Sequence, residues 1–283
     1  MTDTKDNLSY PKKNIKVLLL EGIHPSAVEN FKDHHFVNVE THTVAWSEKE
    51  LLENLEDVHL IGIRSKTQIT EKVIKNSPKL KGIGCFCIGT NQVDLKAATM
   101  AGVTVFNSPY SNTRSVAELV IAESIMLMRR IPLRDKKAHE GTWLKDAQDS
   151  YEVRGKKMGI IGYGHIGSQV SVLAENMGFD VYYYDIEPKL PMGNATRIES
   201  MDELLQLSDI VTLHVPATPT TKMLIDANAL SKMKKGSILL NLSRGSVVDI
   251  PALREVLRSG KLAGAGIDVY PEEPESKGES FNT

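Results

Sequence analysis

Cysteine is nearly absent from the chain. Its two thiols, Cys85 and Cys87, stand two residues apart, too close for an ordinary disulfide and without the second pair that zinc would require. Both are expected as buried, reduced thiols, and no metal site is expected. Nor does one sign of charge dominate. With 34 Lys and Arg against 36 Asp and Glu, the formal charge is −2, which provides neither a basic footprint for nucleic acid nor a polybasic patch for a membrane. Long apolar runs are missing too. The most apolar helical stretch, 116–128, is too short to span a bilayer and carries Glu118 and Glu123. The opening residues Met1-Thr2-Asp3-Thr4-Lys5-Asp6 lack the charged-then-apolar pattern of a signal peptide. A cytoplasmic protein with no nucleic-acid or membrane partner is the expectation.

What the chain does contain is alternation. At 283 residues it is long enough for about two domains, each with its own core. After a polar tail over 1–13, strand runs are expected at 15–20, 36–40, 59–63, 82–85 and 103–106, with amphipathic segments between them. Ser47-Glu48-Lys49-Glu50 reads as a capping box, and Gly102 as the stop of a helix over 95–101. A long helix over 115–130, ending at Ile131-Pro132, is expected to connect the domains, with the cleft beside it as the substrate site. A polar stretch, 133–154, follows. Then a second alternating series begins, with strands at 209–213, 237–241 and 262–267, helices at 226–233 and 250–258, and a capping box at Ser200-Met201-Asp202-Glu203. Alternation of this kind predicts α/β architecture with parallel sheets covered on both faces.

The second series is organised around Gly159-Ile160-Ile161-Gly162-Tyr163-Gly164-His165-Ile166-Gly167. An apolar strand breaks into glycines and then into a helix over 166–177, which Gly178 ends. In a dinucleotide-binding unit Gly162 permits the turn, Gly164 lets backbone approach a pyrophosphate, and Gly167 lets helix pack on strand. The next strand ends in Asp185, about 20 residues past the glycines. Its carboxylate suits ribose hydroxyls and repels a 2′-phosphate, which favours NAD over NADP.

Ligands of open parallel sheets lie beyond the carboxyl ends of the strands. Those ends carry Arg64-Ser65-Lys66-Thr67, whose two cations beside hydroxyls suit a phosphate, and Ile88-Gly89, whose amides suit a carboxylate. Asn107 to Asn112 also follows a strand. Farther on come Leu242-Ser243-Arg244, where the guanidinium fork suits a 2-oxo or 2-hydroxy carboxylate, and then Asp268 and Glu273. Asp268 suits the nicotinamide end, and Glu273 could orient and charge a histidine acid/base. His214, before Pro216, is expected to line the cofactor site. None of the 8 histidines follows Glu273.

These runs, with Gly84-Cys85-Phe86-Cys87-Ile88-Gly89-Thr90-Asn91-Gln92-Val93-Asp94, Ser115-Val116-Ala117-Glu118 and Asp268-Val269-Tyr270, resemble the D-isomer-specific 2-hydroxyacid dehydrogenases over nearly all of 14–283. The resemblance implies a flavodoxin-like substrate domain over 1–111, followed by a Rossmann NAD-binding domain over 112–283. It implies NAD as cofactor, held by Gly162, Gly164, His165, Ile166, Gly167, Asp185, His214, Pro216, Leu242, Ser243, Arg244 and Asp268. Arg64, Ser65, Lys66, Ile88, Gly89, Asn112 and Arg244 are the implied substrate contacts, and Arg244 and Glu273 the implied catalytic residues. In the family a catalytic histidine follows some twenty residues after the Glu, then a segment that completes the first domain, and some members add a serine-binding regulatory domain; none of the three is in this sequence, so the chain is expected to be an amino-terminal fragment with impaired turnover.

The implied reaction is hydride transfer from C2 of 3-phospho-D-glycerate, a phosphorylated 2-hydroxy acid, in a homo-oligomer, dimer or tetramer. Trp143 is a candidate anchor between subunits, and Lys145 of a neighbouring subunit could help hold the phosphate. A dehydrogenase for glyoxylate, hydroxypyruvate or 2-oxoglutarate, and a non-catalytic NAD sensor, are the competing readings.

Overall fold

The computed structural model describes residues 10–272. Glu273, named above as a catalytic candidate, lies outside them. The chain forms two compact units, 1–111 and 112–283, each built on one parallel sheet.

In the first unit the strands are β1 (Lys16–Leu19), β2 (Asn38–Thr41), β3 (Leu60–Ile63), β4 (Gly82–Cys85) and β5 (Thr104–Asn107), separated by α1 (Ser26–Asp33), α2 (Glu48–Asn54), α3 (Glu71–Lys75) and α4 (Leu95–Met100). Their order across the sheet is β2-β1-β3-β4-β5, every pair parallel, which is the flavodoxin-like order. Leu18, Ile61, Ile63, Ile83 and Cys85 are buried in its core with Leu51, Val73 and Ala98 from the helices. The capping box of α2 is complete, with Glu50 N–H donating to Ser47 and Ser47 N–H to the Glu50 carboxylate. Instead of a wholly loose tail, Lys12–Asn14 makes a turn of 3-10 helix ahead of β1. Of the two thiols, Cys85 is buried, whereas Cys87 lies just past the strand end and is only half-buried.

The second unit opens with α5 (Thr113–Met128) and α6 (Ile131–His139), then β6 (Lys157–Ile161), α7 (His165–Asn176), β7 (Asp180–Tyr184), β8 (Thr196–Arg197), α8 (Met201–Leu207), β9 (Ile210–Leu213), α9 (Ala227–Lys232), β10 (Ile238–Asn241), α10 (Ile250–Arg258) and β11 (Gly264–Ile267). The sheet order is β11-β10-β9-β6-β7-β8, again all parallel. It is the doubly wound dinucleotide order, reversing between β6 and β9. Period-two alternation sends Met158, Ile160, Ile210, Ile238 and Leu240 to one face with Ala117, Val120, Val170 and Ala174 of α5 and α7. Ile161, Val211, Leu213 and Leu239 go to the other with Leu204, Leu230 and Leu253 of α8, α9 and α10.

The helix expected between the domains is α5, which follows the first unit in the chain and packs in the second unit's own core. Several local expectations fail for identifiable reasons. The residues expected as a polar stretch after α5 begin with a further helix. Arg130 turns the chain in the left-handed region (φ 54°), and Pro132 then sits at the start of α6, where its missing N–H costs nothing. Ser200 precedes α8 as foreseen, but its side chain makes no cap bond, so that capping box is absent. The two-residue strand β8 has no counterpart among the expected strands. Among the described residues no helix is long and apolar enough to cross a membrane.

Candidate functional site

The turn between β6 and α7 is shaped by three glycines with three different reasons. Gly162 adopts φ +92°, and a Cβ there would stand 2.5 Å from the His214 carbonyl oxygen. Gly167 lies in the first turn of α7, where a Cβ would collide with the Gly162 carbonyl. Gly164, the residue before α7, is different: a Cβ there meets nothing within 4 Å. Two glycines are therefore required by the protein's own packing, and the third keeps a patch of backbone bare toward open space.

Asp185, just past β7, is bound into the same turn. Tyr163 N–H donates to its Oδ2 (2.7 Å) and Glu187 N–H to its Oδ1 (2.9 Å), so each oxygen keeps a lone pair for a further donor. The Tyr163 ring stacks on Tyr183 with centroids 3.8 Å apart. Its hydroxyl donates to Ser171 (2.9 Å) and accepts from Met192 N–H (3.1 Å), tying the loop after Asp185 to the glycine turn.

His214 follows β9 across the point where strand order reverses. The residue as a whole is half-buried, but its ring is enclosed. Nε2 shares a hydrogen bond with the Thr212 hydroxyl (3.0 Å), and Nδ1 is buried without a partner among the described residues. Burial pushes the imidazole down to about 3, which makes it a neutral ring and a poor proton carrier at neutral pH. Pro216 is exposed beyond it.

After β10 the chain turns on Asn241, which is fully buried. Its Oδ1 accepts from Ser243 N–H (3.1 Å) and Ser243 hydroxyl (2.8 Å), while its Nδ2 donates to the Arg244 carbonyl (3.0 Å). Leu242 and Ser243 are buried, and the Arg244 guanidinium donates to the Ser243 carbonyl (2.7 Å). A Cβ on Gly245 would collide with the Tyr270 carbonyl, so the segment after β11 lies over this turn. Asp268, at the start of that segment, is exposed and bonds through its N–H to the Asn241 carbonyl (3.1 Å). The second unit thus gathers its expected cofactor residues, with His165 and Ile166 opening α7, at the carboxyl edge of one sheet. Asn112 stands just before α5.

In the first unit Arg64, Ser65 and Lys66 are exposed after β3, and Ile88 and Gly89 are half-buried after β4. Both loops are held by side chains that the sequence reading did not single out. Glu21 accepts from Arg64, Lys66 and Thr67 N–H (3.0, 3.0 and 2.9 Å). Gln92 donates to the carbonyls of Arg64 (2.7 Å) and Gly89 (3.2 Å). Glu21, just past β1, and Asn241, at the end of β10, had one legible signal, a polar side chain closing an apolar run. Gln92, in a polar loop, had none of its own.

Residues 121–283 match the model of the D-isomer specific 2-hydroxyacid dehydrogenase NAD-binding domain. The chain belongs to that family. The D-3-phosphoglycerate dehydrogenase of Escherichia coli (strain K12) is 54% identical over 276 residues, 98% of this chain and 67% of that protein. The D-3-phosphoglycerate dehydrogenase 2 of Saccharomyces cerevisiae is 54% identical over 95% of this chain and 57% of its own length. Among solved structures, D-lactate dehydrogenase from Aquifex aeolicus complexed with NAD and lactic acid is similar, with a TM-score of 0.81 and 28% identity over 91% of this chain and 78% of that one. As a 2-hydroxyacid dehydrogenase the chain is an oxidoreductase with NAD as its cofactor and a 2-hydroxy acid as its substrate class. Its residues fit that cofactor. The bare backbone at Gly164 leaves room for a pyrophosphate at the start of α7, Asp185 has lone pairs for ribose hydroxyls, and His214 offers a buried nitrogen that has no partner among the described residues.

Proposed function

We propose that the chain supplies the substrate and NAD-binding units of a D-3-phosphoglycerate dehydrogenase, which oxidises 3-phospho-D-glycerate to 3-phosphohydroxypyruvate in the first step of serine biosynthesis. The observation that carries this reading is the 54% identity to enzymes of that name, which runs through 98% of the chain and therefore through both units.

In this reading Gly162, Gly164, His165, Ile166 and Gly167 hold the dinucleotide's phosphates, Asp185 its ribose, and His214, Pro216, Leu242, Ser243 and Asp268 the rest of its pocket. NAD, when bound, supplies the hydride acceptor. Arg244 holds the substrate's carboxylate and the oxygen on C2, its planar fork matched to both. Ile88, Gly89, Ser65 and Asn112 complete the substrate contacts, and Arg64 and Lys66 take the phosphate. Glu273 orients the family's catalytic histidine, which receives the hydroxyl proton. Self-association through Trp143 of the second unit belongs to the same proposal.

The test uses the full-length protein, because the relatives are longer than this chain. NADH consumption is followed with phosphohydroxypyruvate, hydroxypyruvate, glyoxylate and 2-oxoglutarate. Lys66→Ala should raise KM for the phosphorylated acid far more than for the others. Equal effects on all of them would remove the phosphate from the assignment, and NADH binding without any turnover would favour a sensor.

A further inference from the structure

We infer that Glu21 and Gln92 are positioning residues that fix the loop 64–67 from its two sides, so that an anionic substrate group meets the side chains of that loop and not its backbone. The inference rests on the proposed assignment of Arg64 and Lys66 to the phosphate.

The first sheet reverses its strand order between β1 and β3, and loops flanking such a reversal are where ligands of open parallel sheets are received. Glu21 lies just past β1 with a left-handed backbone (φ 61°), and the loop 64–67 follows β3. Three backbone N–H groups of that loop converge on one small volume. A cluster of convergent amides is a ready anion seat. Here the chain fills the seat itself, because the Glu21 carboxylate accepts from Arg64 and Thr67 on Oε1 and from Lys66 on Oε2. Burial opposes ionisation of Glu21, but the bonds from Thr67, Arg64 and Lys66 outweigh it and hold the carboxyl below its ordinary range. An incoming phosphate would have to displace a charged, triply bonded group to reach those amides.

Gln92 acts on the opposite side of the loop. It is 3% exposed, and its amide nitrogen donates to the Arg64 carbonyl at 2.7 Å and the Gly89 carbonyl at 3.2 Å. The nitrogen's two hydrogens are shared among these carbonyls and the Cys87 sulfur (3.2 Å), and the two carbonyls belong to different loops. Gln92 therefore couples the loop after β3 to the loop after β4, which Asn107 steadies by donating to the Ile88 carbonyl (2.8 Å). The backbone of Arg64 is bound at both its N–H and its C=O, while the Arg64, Ser65 and Lys66 residues remain exposed. Such a framework sets where long cationic side chains begin. A shift of about 1 Å in that origin is enough to cost up to about a hundredfold in rate.

The experiment compares Glu21→Gln and Gln92→Met in the full-length protein, with Lys66→Ala as the reference. KM and kcat are measured for phosphohydroxypyruvate and hydroxypyruvate, together with KM for NADH. Both positioning variants should raise KM for the phosphorylated acid roughly tenfold or more, move KM for hydroxypyruvate much less, and leave KM for NADH unchanged. If either variant fails to fold, the other still decides. Equal shifts for the two acids, or a parallel shift in NADH, would reduce both residues to general stabilisers and overturn the inference. If Lys66→Ala changes selectivity and neither positioning variant does, the inference fails alone. If Lys66→Ala leaves selectivity untouched, the phosphate assignment fails and takes the inference with it.

Discussion

The carboxyl of Glu123 packs against bare backbone: a Cβ on Gly266 of β11 would collide with it, and its Oε2 is buried without a hydrogen-bond partner among the described residues. Burial, and secondarily the charge of Asp268, push its pKa up. A carboxyl whose folded pKa is raised contributes stability that is complete below its unfolded pKa and is lost as pH rises through the folded value. Glu21 has the opposite sign. Its lowered pKa contributes stability present above the unfolded pKa and lost as pH falls through the folded one. Melting temperatures across a pH series should therefore diverge in opposite directions. Glu123→Gln should gain on the parent as pH rises above the carboxylate range, whereas the deficit of Glu21→Gln should shrink as pH falls into it. A pH-independent gap for Glu123→Gln would mean that its carboxyl is ionised in the folded protein. His214 adds a third case, since a ring held down at about 3 accepts a proton in the unfolded chain long before it does in the folded one. The parent should lose stability as pH falls below the ordinary histidine range, and replacement of His214 by Asn should flatten that slope.

At the scale of elements, the glycine turn separates what folding needs from what the cofactor needs. Gly167→Ala places a methyl against the Gly162 carbonyl, so α7 must move off β6, at a cost of about 1–3 kcal/mol by the usual penalty for overpacking. Gly164→Ala places the same methyl in open space and should leave stability within about 0.5 kcal/mol. It should still weaken NADH binding by about tenfold or more, because the methyl stands where a pyrophosphate would approach. Calorimetric melting with NADH titration distinguishes the two, and unchanged NADH affinity in Gly164→Ala would count against a phosphate there. The backbone roles of Gly162 and Gly167 were legible because each answers to a local rule of geometry. α10 was read to the residue for a similar reason, since Asp249 caps it by accepting from Ala252 N–H and Pro251 stands in its first turn. The misreadings arose where one residue type has two uses. Pro132 ends the pattern of α5 and also opens α6, and Ser200 precedes a helix without capping it. β8 is two residues long and exists through pairing with β7, a partner that no local window contains.

For the molecule as a whole, the candidate ligand residues were legible, and most of the contacts that hold their loops were not. Arg64, Asp185 and Arg244 announce themselves by charge at strand ends, as Glu21 does, but the contacts by which Glu21 and Gln92 hold the loop 64–67 span tens of residues that only the folded sheet brings together, whereas Asn241 shapes its own turn over two or three residues. The surface of the second unit poses the remaining question. Trp143 is 78% exposed, with the Lys145 ammonium 5.5 Å from its ring centre. On the same unit, a groove of about 680 Å³ lies open among Ile125, Arg129, Ile131, Arg134, Tyr151 and Met177, and Leu119 and Met126 of α5 are exposed as well. Arg134 stiffens the loop that carries the tryptophan by donating to the carbonyls of Leu144 (2.5 Å) and Asp146 (2.6 Å). An uncovered indole on a braced loop, beside a groove lined by apolar and charged side chains alike, has the chemistry of a self-complementary contact. Because Trp143 packs on so little of its own chain, Trp143→Ala should leave the melting temperature of the isolated subunit nearly unchanged. It should weaken self-association by about 2 kcal/mol or more, the typical loss for a buried aromatic anchor, or roughly thirtyfold in the dissociation constant. Sedimentation equilibrium across a concentration series measures this directly. Arg134→Met, which leaves the indole in place but frees its loop, should produce a smaller shift of the same sign. If the dissociation constant is the same in Trp143→Ala as in the parent, the tryptophan lies outside any subunit contact and its exposure has another cause.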